Sequence, residues 1–281
     1  MLEDVGQRER GLSAPKSGRS QAFGSLPILR AHQAIKIMES ESGRSEKLAG
    51  AASIWHNRCM SIQVINLRKL LKLMFLDSKA LTAALRDDIR EERDRDRGLV
   101  SGGGDFYGPF WRDAKDHVFA NGDLQSLTKD RIESNDRRKN IYPELEKGFL
   151  LWWNERRRWT NAPFEPIDAP KTRYKIKDLD LTVKIDCVLA VQDGSGDDHY
   201  VYPYWFPEPP IGDEAGRLGL WVLCQALPQV SPSELRILDV IRGRTMALDR
   251  IPLKGDEIQT FSNHYRRISQ RRQQLRDEYD R

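Results

Sequence analysis

The chain has 281 residues, of which 39% are hydrophobic, enough to build one large domain or two small ones around a core. This composition excludes a natively disordered or fibrous protein for most of the chain. Charged residues make up 31%, the mean hydropathy is −0.65, and no run of about 18 apolar residues occurs, so a membrane span is excluded. We therefore expect a soluble protein with no membrane partner.

The charge balance is mildly basic, with 46 Lys and Arg residues against 42 Asp and Glu residues and a pI near 8.9. This excess permits contact with nucleic acid without requiring it. Cys59, Cys187 and Cys224 are isolated and form no CxxC pair, which argues against a zinc ribbon and against a disulfide framework. A reducing compartment fits this pattern best, and we expect a cytoplasmic location.

Two segments are predicted before the main domain. Residues 1–59 begin with an aperiodic stretch rich in Gly, Ser, Pro and Arg, which predicts either a disordered extension or non-native sequence upstream of a start at Met60. Residues 60–104 are predicted to be a helical lead-in, because apolar residues recur at helical spacing from Leu67 to Ile89. The sequence SGGGD then predicts a hinge, with a phosphate-binding loop as the alternative.

Residues 105–281 predict an α+β domain of three layers, in which helices flank a mixed sheet. Short helices are predicted at 106–121 and 123–139, and a buried helix follows from Pro143. The cluster Arg156–Arg158 ends this buried helix, where it either complements the helix dipole or binds a partner.

The hydrophobic period then changes from 3.6 to 2, which indicates strands. One long strand is predicted at 181–191, with a hairpin partner at 173–176 and a third strand at 199–206. Pro203 inside the third strand restricts it to a sheet edge or a bulge, because proline cannot donate to the ladder. A helix from Asp213, two strands, and a basic C-terminal helix from Asp256 complete the predicted domain.

The order from residue 142 onward is helix, strand, strand, strand, helix, strand. This order, with its long second strand, resembles the core of the PD-(D/E)XK nucleases, which have a restriction-endonuclease-like fold, and in particular their RecB and Cas4-like branch. The resemblance implies a metal-binding Asp on the second strand, a place taken by Asp186 at the end of VKID. It also implies a Glu from the preceding helix, which Glu144 or Glu146 could supply, and Mg²⁺ as the metal of an active enzyme.

The third strand departs from the family pattern. An active member needs a second carboxylate and a Lys two residues later, whereas YVYPYWF places Tyr202 and Tyr204 at those positions. Neither tyrosine can replace the missing group. The resemblance thus implies a nuclease-like fold without cleavage. Taken by itself, Asp186 is predicted to be a strand carboxylate that pairs with Lys184, Lys175 or Arg217.

Relocated residues are the alternative. In that case Glu208, Asp213 or Glu214 would supply the second carboxylate, and Lys184 or Arg217 would supply the cation.

Three function classes therefore stay open. The first is a non-catalytic protein that binds DNA or RNA through basic and aromatic residues, namely Arg156, Arg157, Arg158, Arg217, Arg267, Arg271, Tyr202 and Tyr204. The second is a Mg²⁺-dependent nuclease centred on Asp186 and Glu144 or Glu146. The third is a protein-interaction or assembly module, in which the last helix pairs with a second copy or a partner protein.

Overall fold

The computed structural model describes residues 63–99 and 106–280. The chain divides into two units, Met1–Ala52 and Ser53–Arg281, and every described residue belongs to the second. The predicted extension at 1–59 and the predicted hinge at 101–105 lie outside the described residues.

The described residues form seven α-helices and eight short strands. The helices are α1 (Leu67–Phe75), α2 (Ser78–Asp96), α3 (Gly108–Val118), α4 (Leu124–Glu133), α5 (Tyr142–Leu151), α6 (Asp213–Ala226) and α7 (Glu257–Tyr279). The strands are β1 (Val64–Asn66), β2 (Glu165–Pro166), β3 (Thr172–Ile176), β4 (Leu181–Ile185), β5 (Leu189–Gln192), β6 (Asp198–Tyr204), β7 (Leu235–Asp239) and β8 (Arg244–Met246). A π-helical turn, Trp152–Arg156, extends α5.

The helical lead-in is two helices rather than one. The break falls at Leu76 and Asp77, where the Asp77 side chain accepts hydrogen bonds from the backbone N–H groups of Lys79 and Ala80 at 2.8 and 2.9 Å. Asp at this position satisfies N–H groups that have no partner inside the helix, which fixes the start of α2.

The long strand predicted at 181–191 is broken into β4 and β5 at residues 186–188. Cys187 adopts a positive φ of 63°, which turns the chain out of the extended conformation. As a result the ladder divides into two sheets, one ordered β1-β4-β3 and the other β2-β5-β6-β7-β8. We call residues Asp186–Cys187–Val188 the strand break.

The strand break also explains how Pro203 fits inside β6. Pairing of β6 with β5 ends at Val201, while its parallel pairing with β7 continues to Tyr204. The Tyr204 carbonyl accepts from Val240 on the β7 side, so Pro203, one residue away, turns its nitrogen toward the side where β5 has ended. The missing N–H therefore costs no ladder bond. The prediction that this proline places the third strand at a sheet edge is wrong, because β6 lies between β5 and β7 and only the end of β6 that carries Pro203 lacks a neighbour on the β5 side.

Helices cover both faces of the sheets, which confirms the predicted α+β class with three layers. One buried cluster joins α1, α2, α6 and α7 to β3, β4 and one face of β6, and includes Leu71, Val183 and Tyr202. The other joins α3 and α5 to β5 and the opposite face of β6, and includes Trp111 and Val201. Alternate residues of β6 thus point into different clusters, as the period of a strand requires.

Close approach positions α5 on the sheet. A Cβ on Gly148 would lie 2.1 Å from the carbonyl oxygen of Val240, a contact that no other residue type can accommodate without movement of the backbone.

Among the described residues, no helix is both long and apolar enough to cross a bilayer.

Candidate nucleic-acid interface

A buried arginine bridges the strand break to the third strand. Arg68 on α1 donates from Nη1 to Asp186 Oδ1 over 2.7 Å and to the hydroxyl of Tyr202 over 3.3 Å. Its backbone N–H donates to the same hydroxyl over 3.1 Å, and its guanidinium lies 4.5 Å from the ring centroid of Trp205. We call Arg68, Asp186 and Tyr202 the Arg68 junction.

Electrostatics keep the Arg68 junction charged. Burial opposes the guanidinium, but the nearby Tyr202 and Asp186 outweigh it and raise the pKa of Arg68 above its ordinary value. Burial raises the pKa of Tyr202 to about 12, so its hydroxyl keeps its proton at neutral pH. The junction therefore holds one guanidinium, one carboxylate and one neutral hydroxyl.

Helix α3 stabilises the strand break from the other side. Trp111 Nε1 donates to the carbonyl oxygen of Cys187 over 2.5 Å, and Lys115 Nζ donates to that of Val188 over 2.8 Å. These carbonyls have left the β-ladder, and side chains of α3 supply the hydrogen bonds that they would otherwise lack.

The predicted pairing of Asp186 with Lys184, Lys175 or Arg217 is wrong. The partner is Arg68, 118 positions earlier in the chain, which sequence spacing does not reveal. Arg217 instead pairs with Asp256 and Glu257 at the start of α7, and only 5% of its surface is exposed.

The tyrosines predicted to bind nucleic acid are buried. Tyr202 and Tyr204 are 1% and 2% exposed, and both belong to the cluster that α6 covers. The Tyr204 hydroxyl donates to the carbonyl of Pro209 over 2.7 Å. Because neither ring presents a face to solvent, neither can stack on a base, and the expectation of an exposed aromatic strand face is wrong.

The structure does not bring the predicted catalytic carboxylates together. Glu144 is exposed on the first turn of α5, and Glu146 lies beside Thr128 on α4, where burial raises the pKa of its carboxyl. Asp186 is held at the Arg68 junction. In the described parts of the chain, no three His, Cys, Asp or Glu side chains are grouped so that they could hold a metal ion.

The carboxylates considered for relocation are also engaged elsewhere. Asp213 pairs with Arg244 at 2.6 Å, Glu214 contacts His264 at 3.0 Å, and Glu208 lies 4.0 Å from Arg242.

Most of the basic residues predicted to bind nucleic acid make contacts within the domain. On α7, Arg267 donates to the carbonyl of Met74 over 2.5 Å, and Arg271 donates to Thr82 Oγ1 over 3.1 Å. These bonds connect α7 to α1 and α2. Arg156–Arg158 line a separate pocket, described below.

A basic cleft that sequence reasoning missed lies beside the strand break. It has a volume of about 950 Å³, and its basic lining residues are Arg112, Lys115, Arg137, Arg138 and Lys171. Among the described residues, Asp186 is the one acidic residue that lines it, and Arg68 already neutralises that carboxylate. We call this feature the basic cleft.

The basic cleft presents unpaired charge to solvent. Arg112, Arg137 and Lys171 are exposed, and none of their side chains has a partner within the described residues. Lys115 and Arg138 donate only to carbonyl and hydroxyl oxygens, which leaves their charges without a carboxylate partner. These cations come from three separate segments of the chain, so no local sequence pattern could reveal them.

Comparison with known proteins adds no relative: no protein-family model matches the chain, and neither a curated protein nor a solved structure matches it.

Proposed function

We propose that this chain is a non-catalytic nucleic-acid-binding protein with a PD-(D/E)XK-like core, and that the phosphate backbone binds in the basic cleft. The observation that carries the proposal is the charge of the cleft: five basic side chains face one carboxylate that is already paired. Unpaired Lys and Arg side chains are the groups that bind phosphates and release counterions.

The element order supports the PD-(D/E)XK-like core. Helix α5 is followed by the strands β2 to β6, then by α6, and then by β7, which runs parallel to β6. The succession of helix, strands, helix and strand agrees with the order on which the resemblance rests, but the long second strand of that order is divided here into β4 and β5, which lie in different sheets. The strand break carries Asp186, the residue that the resemblance assigns to the metal.

The Arg68 junction supports the absence of cleavage. A guanidinium lies 2.7 Å from Asp186, so this carboxylate already has a cation in contact with it. The position of the second carboxylate is taken by Tyr202, which donates and accepts hydrogen bonds but carries no charge at neutral pH. A Mg²⁺ ion would have to displace Arg68 and would gain one charged ligand.

The test measures binding and cleavage together. Labelled single- and double-stranded DNA and RNA are titrated with the protein by fluorescence anisotropy in Mg²⁺, Mn²⁺ or EDTA, and each sample is then examined for cleavage on a gel. We expect the protein to bind the nucleic acid in all three conditions and to leave it uncleaved. The variant Arg112→Gln with Lys171→Gln should weaken binding about tenfold and reduce the slope of log affinity against log salt by about 2.

The single variants Arg112→Gln and Arg266→Gln each remove one exposed cation, so their comparison separates a defined site from net charge. Arg266→Gln removes one positive charge from the exposed surface of α7 and should change affinity less than threefold, about the effect of a distant charge. Absence of binding to every probe would refute the proposal. Metal-dependent cleavage that Asp186→Ala abolishes would instead establish a nuclease with a rearranged site.

A further inference from the structure

A second basic pocket shares no lining residue with the basic cleft. It has a volume of about 870 Å³ and is formed by the π-helical turn after α5, the start of β7, and β8 with the segment that follows it. The described part of the chain lines it with six arginines, Arg156, Arg157, Arg158, Arg236, Arg244 and Arg250, and with one acidic residue, Asp249. We call this feature the arginine pocket.

Within residues 63–99 and 106–280, two of the six arginines have a carboxylate partner. Arg158 pairs with Asp249, and Arg244 pairs with Asp213. Arg250 is exposed, and its side chain has no partner in the part of the chain that the structure describes.

Three further arginines donate hydrogen bonds to backbone carbonyl oxygens and contact no carboxylate among the described residues. Arg156 donates to the carbonyl oxygen of Arg242 over 3.0 Å, and Arg236 donates to that of Glu234 over 2.8 Å. Arg157 donates from Nε to the carbonyl of Trp159 over 3.1 Å. A carbonyl satisfies a donor but does not cancel its charge, so these three arginines and Arg250 give the arginine pocket four positive charges without a carboxylate in contact among the described residues.

Arg157 carries an unsatisfied buried donor. Its guanidinium lies 3.7 Å from the ring centroid of Trp153 and 4.5 Å from that of Phe164, and its Nη1 is buried without a hydrogen-bond partner in the described residues. Burial lowers the pKa of Arg157 and also that of Arg236. Like charges that are partly desolvated and close together destabilise a fold, unless an anion binds between them.

We propose that the arginine pocket binds a small molecule with adjacent phosphate groups, of the diphosphate or triphosphate class. Guanidinium groups bind phosphate oxygens through paired, charge-assisted hydrogen bonds, and the four unneutralised charges approximately match the charge of a pyrophosphate or triphosphate group. The volume is within the range of pockets that hold small molecules, of about 300 to 1,000 Å³. The charge is concentrated in one cavity rather than along a groove, which favours a compact ligand over a nucleic-acid strand.

The experiment is isothermal titration of the full chain with pyrophosphate, tripolyphosphate, ATP and orthophosphate at low ionic strength. Pyrophosphate should bind at one site, and orthophosphate should bind at least about tenfold more weakly because it engages fewer guanidinium groups. Equal affinity for tripolyphosphate and ATP would assign the contacts to the phosphates alone, whereas tighter ATP binding would indicate a nucleotide.

Two variants with opposite expected effects make the test specific. Arg156→Gln with Arg250→Gln removes two exposed cations and should weaken pyrophosphate binding about tenfold or more. Asp249→Asn removes the competing carboxylate beside Arg158 and should strengthen binding about threefold. Arg266→Gln on α7 is the matched control and should leave the affinity unchanged.

Three results would overturn the proposal. They are no saturable heat with pyrophosphate up to about 5 mM, equal weakening by Arg266→Gln, and loss of oligonucleotide binding in the double variant without any pyrophosphate binding. The last result would assign the pocket to a nucleic-acid interface. Failure of the basic cleft to bind nucleic acid would leave this proposal unaffected, because the two sites have no lining residue in common.

Discussion

The side chain of Arg68 connects three elements beside the proposed interface. It connects α1, the strand break and β6, and it neutralises a carboxylate at the edge of the basic cleft. The side chain of Arg68 is 8% exposed and that of Asp186 is 28% exposed, so the pair is only partly screened by water. Loss of one partner leaves the other with a charge in a poorly solvated position.

We expect Arg68→Gln to reduce the free energy of unfolding by about 3 kcal/mol, because it leaves Asp186 without its cation and removes a donor to Tyr202. Asp186→Asn should cost less, about 1 to 2 kcal/mol, since the amide oxygen can still accept the hydrogen bond from Arg68 although it no longer neutralises the guanidinium. Urea denaturation at pH 7 measures both. A value for Arg68→Gln within about 0.5 kcal/mol of the wild type would contradict the structural role of the junction.

At the scale of elements, polar contacts connect α7 to the helical lead-in. Glu92 on α2 accepts from Arg272 over 2.7 Å and from Arg276, both on α7. Burial opposes the ionised carboxylate, but the hydrogen bonds and charges of Arg276 and Arg272 outweigh it and lower the pKa of Glu92 below its ordinary value of 4.5. The apolar residues Phe261 and Ile268 of α7 are buried in the same interface. The helix predicted to pair with a second copy or a partner protein therefore has most of its apolar face covered by the chain itself, while Ile258 and Tyr279 stay exposed.

The lowered pKa of Glu92 predicts a pH-dependent contribution to stability. Because the folded state favours the ionised carboxylate, the contribution is complete above pH 4.5 and is lost as the pH falls through the lower folded pKa. Glu92→Gln should cost about 1 kcal/mol at pH 7, a small value because the side chain is 37% exposed. Urea denaturation from pH 7 to pH 3 should show wild type and variant converging at the acidic end, and a constant difference would contradict the assignment.

At the scale of the whole domain, one sheet system separates two hydrophobic clusters. Alternate residues of β6 contribute to both, with Tyr202 in the first and Val201 in the second. Most of the described tryptophans lie in the second cluster, so their fluorescence reports on that side of the sheet. Because β6 contributes residues to both clusters, we expect the two clusters to unfold in one cooperative transition.

We test this coupling with Leu71→Ala, which removes a fully buried side chain from the first cluster. The substitution should lower the free energy of unfolding by about 2 to 5 kcal/mol. The unfolding midpoints measured by tryptophan fluorescence and by far-ultraviolet circular dichroism should fall by the same amount. Val64→Ala, at a position that is 53% exposed, is the control and should have little effect. Two separate transitions, with the fluorescence midpoint unmoved by Leu71→Ala, would show that the clusters are independent.

The sequence by itself determined most of the local structure. Hydrophobic periodicity predicted the helices from Pro143, Asp213 and Asp256 and the hairpin of β3 with β4. A helix or strand that buries one face repeats its apolar residues with the period of that element, so the period identifies the element. The predicted single helix from Leu67 was wrong at Asp77, although Asp followed by Ser and Lys is a capping signal that local reasoning can use.

Only the tertiary structure decided the candidate sites. The partner of Asp186 is 118 positions away, and the basic cleft combines side chains from α3, the segment after α4 and the approach to β3. Tyr202 is buried because α6 packs on the sheet. The alternation of residues along β6 does not show which of its faces a helix covers. Charge and aromatic content are visible in the sequence, but which charges remain unpaired depends on contacts between distant segments, and folding alone brings those segments together.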